Sequence, residues 1–319
     1  MRVVITGGAG FLGRRLARAL LEQKTSIERI TLVDVVEPQA LNDPRIVTLT
    51  GDISDPELLE RAIDPNTSSI FHLAAIVSGM AEADFDLGMR INIDATRTLL
   101  ERCRRVGHAP RLVFASSVAV YGGDLPDVVL DTTALRPQSS YGMQKAVGEL
   151  LIGDYTRRGF IDGRVLRMPT ISVRPGRPNA AASSFASGIV REPLNGEDAI
   201  CPVTPDTRLW LLSPARAIDC LITGHDLPAS AIGANRCLNM PGLSVSAQEM
   251  AAALARQAGP EVAARILWQP DPRIERIVAT WPGSWDTKRA RALGFQGDDS
   301  FDSIIRKYME EMDSALRIR

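Results

Sequence analysis

Met1-Arg2-Val3-Val4-Ile5-Thr6-Gly7-Gly8-Ala9-Gly10-Phe11-Leu12-Gly13 runs from a short β-forming stretch straight into a glycine cluster. Arg14 to Gln23 then carry Leu16, Ala19 and Leu20 at helical spacing, so a strand turning tightly into a helix is expected. The first backbone N–H groups of such a helix have no intrahelical partner and point one way, which makes an anion site. Gly7, Gly10 and Gly13 permit the turn, the close approach of a pyrophosphate and tight seating of helix on strand. A purely structural turn would need glycines too. The next strand, Ile30-Thr31-Leu32-Val33, favours the nucleotide reading, because it ends in Asp34, about twenty residues on. That is where a dinucleotide fingerprint places an acid for the ribose hydroxyls. Gly7, Gly10, Phe11, Leu12, Gly13 and Asp34 are therefore the expected cofactor contacts of this first unit.

At 319 residues the chain suffices for one large α/β domain or two smaller ones. Its 45% hydrophobic and 24% charged residues, with a net charge of −1, are ordinary for a soluble globular protein. Near-neutral charge gives no reason to expect nucleic acid or an anionic membrane as partner. No apolar run approaches the roughly 18–20 residues that span a bilayer. The strand-forming start has no basic-then-apolar leader pattern. Cys103, Cys201, Cys220 and Cys237 are scattered without a CxxC pair, and there are three histidines, so neither a disulfide framework nor a metal site is expected. A reduced, cytoplasmic protein is the expectation.

Further along, Ile46 to Leu49 reads as a strand ending at Gly51-Asp52-Ile53. Asp52, with Ile53 beside it, could reach the adenine of a nucleotide, or equally serve with Asp55 as an acid at a helix start. Pro56 to Ala62 reads as helix, and Ser69 to Leu73 as a buried strand opening onto Ala74-Ala75, small residues that leave room for a cofactor. His72, inside that apolar strand, is expected to be a packed core residue. Phe85 to Val106 reads as one long helical stretch carrying Asn92, either a backbone anchor or a support for the site. Arg111 to Ala115 is a strand ending in Ser116-Ser117, Tyr141 to Leu151 a helix, and Arg164 to Met168 a strand closed by Pro169. Alternation of this kind implies a Rossmann-type, doubly wound parallel sheet with its site at the carboxyl strand ends. From Pro169 the texture changes to shorter elements. The expected organisation is a dinucleotide-binding domain over 1–168, late sheet elements from about 205–240, and a smaller C-terminal substrate-binding lobe over 169–319.

Tyr141 and Lys145 stand four residues apart, on one helix face, with Ser117 at the preceding strand end. A tyrosine hydroxyl titrates near pH 10, too high for a base at neutral pH. A nearby ammonium stabilises the phenolate, and a serine can hold a substrate hydroxyl against it. Singly, each residue has a bland role, as half-buried aromatic, solvated cation or strand-end cap. At these residues the chain resembles the extended short-chain dehydrogenase/reductase family. The resemblance rests on the glycine loop, His72-Leu73-Ala74-Ala75, Ser116-Ser117-Val118-Ala119-Val120-Tyr121-Gly122, Tyr141 with Lys145, and Asp286 to Phe295. It covers essentially the whole chain. It implies Tyr141 as general acid/base, Lys145 on the nicotinamide ribose, and Ser117 orienting the substrate. Leu73, Ala74, Ala75, Asn92, Ser116 and Pro169 would border the cofactor. It also implies a homodimer paired through helices around 85–106 and 141–155. Asp34 favours NAD over NADP, since a carboxylate accepts ribose hydroxyls and repels a 2′-phosphate.

Departures from other branches narrow the reaction. Dehydratases of the family carry an Asp-Glu pair where this chain has Val118 and Ala119, and nucleotide-sugar epimerases usually have Asn at the place of Thr170. Arg174 through Asn179 and on to Arg191 looks like the stretch found in the D-erythronate dehydrogenase branch, which oxidises C2 of a four-carbon sugar acid to the 2-oxo acid. Arginines such as Arg174, Arg177 and Arg191 offer a fork to a carboxylate, Asn179 and serines can bond hydroxyls, and alanines keep the walls close. Arg174 and Arg177 could instead be solvated or cap carbonyls, and Arg191 could form a surface pair with Glu192. The expected function is NAD-dependent oxidation of a short sugar acid. The rivals are a nucleotide-sugar epimerase with tightly held NAD and a non-catalytic dinucleotide binder.

Overall fold

In the computed structural model, residues 1–23, 26–38, 41–176, 178 and 181–317 are described, 313–317 by backbone only. Twelve strands occur among them: β1 (Arg2–Thr6), β2 (Arg29–Asp34), β3 (Ile46–Thr50), β4 (Thr67–His72), β5 (Arg111–Ser117), β6 (Asp162–Met168), β7 (Thr170–Ile171), β8 (Ala199–Cys201), β9 (Arg208–Leu212), β10 (Cys237–Asn239), β11 (Leu243–Ser246) and β12 (Ile266–Trp268). Seven of them form one sheet in the order β10-β6-β5-β4-β1-β2-β3, every pair parallel. This is the doubly wound, Rossmann-type arrangement. Its order reverses between β1 and β4, and the crevice at such a switch point is where a nucleotide binds.

Both faces are covered. On one, α1 (Phe11–Gln23) packs Leu16 and Leu20 against Val3, Ile5 and Leu32, beside Leu221 from a later helix. On the other, α2 (Pro56–Ala62) contributes Leu58 and Leu59 to a core it shares with Leu99, Leu100 and Ile152. Next along the chain are α3 (Ser78–Ala83), α4 (Phe85–Met89) and α5 (Ala95–Val106). The stretch that periodicity reads as one long helix is interrupted by a π-turn over Arg90–Asp94, where the Ala95 amide bonds the Arg90 carbonyl. One extra residue in that turn carries Asn92 inward, where it is buried. The remaining helices of the frame are α6 (Ser140–Arg157), α7 (Phe185–Leu194) and α8 (Pro214–Asp226).

Of the late strands, β10 joins the large sheet beside β6, whereas β9 pairs with β11 and β7 in a separate three-stranded sheet. That small sheet shares a second core with α7 and the helices Ala247–Ala258 and Phe301–Arg317, built on Val173, Ile189, Leu211, Leu254 and Ile305. Ser246 and Glu249 close a reciprocal capping box at the start of the Ala247–Ala258 helix. No helix among the described residues is long and apolar enough to cross a membrane.

Candidate active site

The glycine loop closes as its composition requires. Gly7 has φ +72°, its carbonyl accepts from the Gly10 amide at 3.1 Å, and the first α1 bond runs from Arg14 N to Gly10 O at 3.1 Å. The amides of Phe11, Leu12 and Gly13 precede that bond, in the turn that borders the cleft at the strand ends. A side chain at Gly13 would collide with the Gly7 carbonyl, and one at Gly7 would meet the Ala74 amide at 2.9 Å. Asp34, at the end of β2, accepts from the Ala9 amide at 2.9 Å and the Val36 amide at 3.2 Å, which ties its carboxylate to the loop. A bare backbone cradle at a helix start, with an acid fixed beside it, suits a pyrophosphate and its ribose.

A cleft of about 310 Å³ runs from this loop across the strand ends. Leu73, Ala75, Ser116 and Pro169 border it, and Ser117, Tyr141 and Lys145 meet in it. The last two come from α6, which Ser139 caps by accepting from the Gly142 amide at 3.1 Å. Gly142 lets the helix approach the Ala119 carbonyl, where a side chain would overlap it. Lys145 is buried, donates to the Ala115 carbonyl at 2.9 Å, and lies 4.5 Å above the Phe114 ring and 5.8 Å from the Tyr141 ring. Burial brings its pKa down to about 8, against the attraction of Glu149. Burial pushes Tyr141 up to about 12, opposed by its hydrogen bond with Ser117. The hydroxyl thus needs added positive charge to ionise, and Lys145 is beside it.

Other residues singled out in the sequence lie around this centre. Asp52 accepts from Ser54 N at 2.8 Å and pairs with Arg90, while Asp55 caps α2. Ile53 belongs to the core on the α2 side, and the Ala74 amide bonds Thr6 Oγ1 at 3.2 Å. Asn92 exchanges bonds with the Ile76 backbone at 2.8 and 2.9 Å and donates to Gln144 at 2.7 Å, one layer behind the cleft. His72 bridges Thr6 and Thr96 at 2.7 and 2.9 Å, and burial with the Lys145 charge takes it down to about 3, so it is neutral. The Ser116 hydroxyl turns to Glu149 at 2.5 Å.

Arg174 lines the cleft and is half-buried. Arg191 does not line it: its guanidinium donates to the Arg174 carbonyl at 2.8 Å and pairs with Glu192 at 2.6 Å. The surface pair read from adjacent Arg191 and Glu192 is thus a buried one, with Arg191 only 4% exposed. Arg177 and Asn179 lie outside the described residues. Ser183, one of the serines of the Arg174–Arg191 stretch, lines the cleft; Ser78 and Trp281 also line it and carried no sequence signal, being brought there from two distant segments.

Residues 3–210 match the NAD dependent epimerase/dehydratase family. A Cupriavidus necator protein named D-erythronate dehydrogenase is 62% identical over 319 residues, covering 98% of each chain. The chain belongs to the NAD dependent epimerase/dehydratase family. It is an oxidoreductase, and NAD is its cofactor. A Haemophilus influenzae protein of the same name is 48% identical over 312 residues, covering 97% of this chain and 99% of that one. Among solved structures, one described as a nucleoside-diphosphate-sugar epimerase from Agrobacterium tumefaciens is 43% identical, with a TM-score of 0.92 over 97% of this chain and 94% of that one.

In a family defined by NAD, Asp34 supplies a direct test. Asp34→Asn keeps an acceptor for the Ala9 amide but removes the charge. The ratio of kcat/KM with NAD to that with NADP should fall by about tenfold or more, since bonds to charged groups contribute roughly 1.5–3 kcal/mol. An unchanged ratio in steady-state assays would place the ribose elsewhere.

Proposed function

We propose that the protein oxidises C2 of a short sugar acid of the D-erythronate type to the 2-oxo acid. The observation that carries this reading is the meeting of Ser117, Tyr141 and Lys145 with a half-buried arginine, Arg174, in one cleft of small volume. The names of the two relatives described above point the same way. NAD, when bound, accepts the hydride. The glycine loop and Asp34 hold it, and Lys145 orients its nicotinamide ribose. Arg174 binds the substrate carboxylate: burial and the Arg191 charge pull its pKa down, and an anion relieves both. Ser117 holds the C2 hydroxyl against Tyr141, and Tyr141 takes its proton. Residues 169–319 form most of the lobe that closes over the substrate, and 1–168 most of the cofactor domain.

Oxidation requires Tyr141 ionised and Lys145 charged. With Lys145 at about 8 and Tyr141 at about 12, the pairing of phenolate with ammonium gains population as pH rises to about 8, holds between the two values and declines above about 12, and the rate follows it. The reading includes a homodimer paired along α5 and α6, where Leu150 is 70% exposed, in a reduced cytoplasmic setting that suits free thiols.

The deciding experiment offers C4–C6 aldonates with NAD and follows absorbance at 340 nm. Accumulating NADH with a four-carbon acid is expected. A second reading, epimerisation of a nucleotide-sugar, draws on the description of the Agrobacterium tumefaciens structure. Turnover of such a sugar without NADH, and none of any aldonate, would replace the first reading with the second.

A further inference from the structure

Tyr141, Lys145 and Glu149 recur every four residues on α6 and so share one face. The first two border the cleft, and Glu149 is buried beneath them against β5 and β6. Ser116 Oγ donates to Glu149 Oε1 at 2.5 Å, and Arg167 grips both carboxylate oxygens, Nε at 3.0 and 3.1 Å and Nη2 at 2.7 Å. Ser116 and Arg167 are register partners on the adjacent strands β5 and β6. Arg167 also donates to the Tyr121 hydroxyl and, at 3.2 Å, to the Asp131 carbonyl, while Tyr121 donates to Asn239 at 2.8 Å. All the side chains in this chain of contacts, from Ser116 to Asn239, are buried. A buried ion pair is weak evidence for stability, because desolvating two charges costs about as much as their attraction returns. Its place under the reactive face therefore asks for another role.

We propose that Glu149 is a positioning residue: clamped by Ser116 and Arg167, it fixes α6 against β5 so that Ser117 meets Tyr141, and its charge holds the Lys145 ammonium. The inference rests on the Tyr–Lys assignment given under the proposed function. The reactive groups come from two elements, and besides the bond between Ser117 and Tyr141 two side-chain bonds cross between them at this level, Lys145 to the Ala115 carbonyl and Ser116 to Glu149. Lys145 is otherwise set over an aromatic ring in a buried site that favours its neutral form. The other titratable groups nearby do not replace Glu149. Arg167 is spent on Glu149 itself, and His72 is neutral. Tyr121 and Cys237 are pushed up to about 12 by burial, and Asp131 pairs with Arg289 at 3.2 Å. Tyr141 is the partner that Lys145 serves.

The chain has four lysines, Lys24, Lys145, Lys288 and Lys307, so Nζ resonances of the full-length 15N-lysine protein can be followed singly against pH. In Glu149→Gln, the Lys145 midpoint should fall by about one pH unit, the scale of losing a unit charge several Å away. Lys288 and Lys307, both exposed, should not move. The acid limb of kcat/KM for aldonate oxidation, which Lys145 sets because Tyr141 titrates above it, should shift down with it. Should the single variant fail to fold around an unpaired Arg167, Glu149→Gln with Arg167→Met removes both buried charges, and a fall of about half a unit is expected. A Lys145 midpoint within ~0.2 unit of wild type in a folded variant overturns the proposal, even if turnover drops. Wild-type protein that yields no NADH would instead sink the proposed reaction while leaving the Nζ measurement to decide the role of Glu149.

Discussion

Tyr141→Phe should lower turnover of a short 2-hydroxy acid by about 10²–10⁴-fold, the usual contribution of a positioned proton acceptor. The substitution removes one oxygen and keeps the ring that lies 5.8 Å from Lys145, so packing within α6 is preserved. Binding of NAD should persist within about tenfold, because the glycine loop and Asp34 are untouched and loss of one neutral hydrogen bond is worth about 0.5–1.5 kcal/mol at most. Stopped-flow turnover and fluorescence titration of NADH separate the two effects. Turnover near the wild-type rate would remove Tyr141 from its role. Turnover and NAD affinity falling together would mean that the hydroxyl organises the cofactor and not the proton.

Arg174→Ala is the second large effect. Its guanidinium lines the cleft beside the positive Arg191, and its backbone is fixed at both ends, the amide by Ser187 Oγ at 3.0 Å and the carbonyl by Arg191 at 2.8 Å. A carboxylate in the cleft would meet a cation whose backbone is already fixed, so only the side chain remains to be ordered. Removing one partner of such a pair costs about 2–4 kcal/mol, roughly 30- to 1000-fold in kcat/KM. Most of that should appear in KM for the acid. Arg174→Lys should recover only part of it, because an ammonium cannot offer a planar two-point fork. If both variants oxidise D-erythronate as well as the wild type, the carboxylate is bound elsewhere, and Arg177, outside the described residues, becomes the next residue to change.

What the sequence disclosed and what it concealed divide along a physical line. The glycine turn, Asp34 at the end of β2, and the Tyr141–Lys145 pair are local: each follows from strand-to-turn chemistry or a four-residue helical step. Contacts between distant segments left no such trace. Arg90 pairs with Asp52 across 38 positions, and Arg191 reaches back to a carbonyl while its neighbour Glu192 mimics a surface pair. Strand alternation offered a usable hint for Ser116 and Ser117, since successive side chains face opposite sides of a sheet. Only one of the two hydroxyls can share the side of Tyr141. Glu149 was also within reach, as the next member of the Tyr141–Lys145 series, had the period been continued one turn further. The π-turn at Asn92 was not, because an apolar spacing near 3.6 persists on both sides of it.

The crossing of the chain between its two cores sets a condition on biosynthesis. When residue 168 leaves the ribosome, six strands of the large sheet exist, but the face bearing Val113, Leu166 and Met168 still lacks α8, and β6 lacks its outer neighbour β10. Those pieces follow only about seventy residues later, several seconds at common elongation rates. Through that interval the nascent chain presents an apolar face and an open strand edge, the two features that recruit chaperones or mispair with other chains. The first half of this protein is thus made to wait for the second.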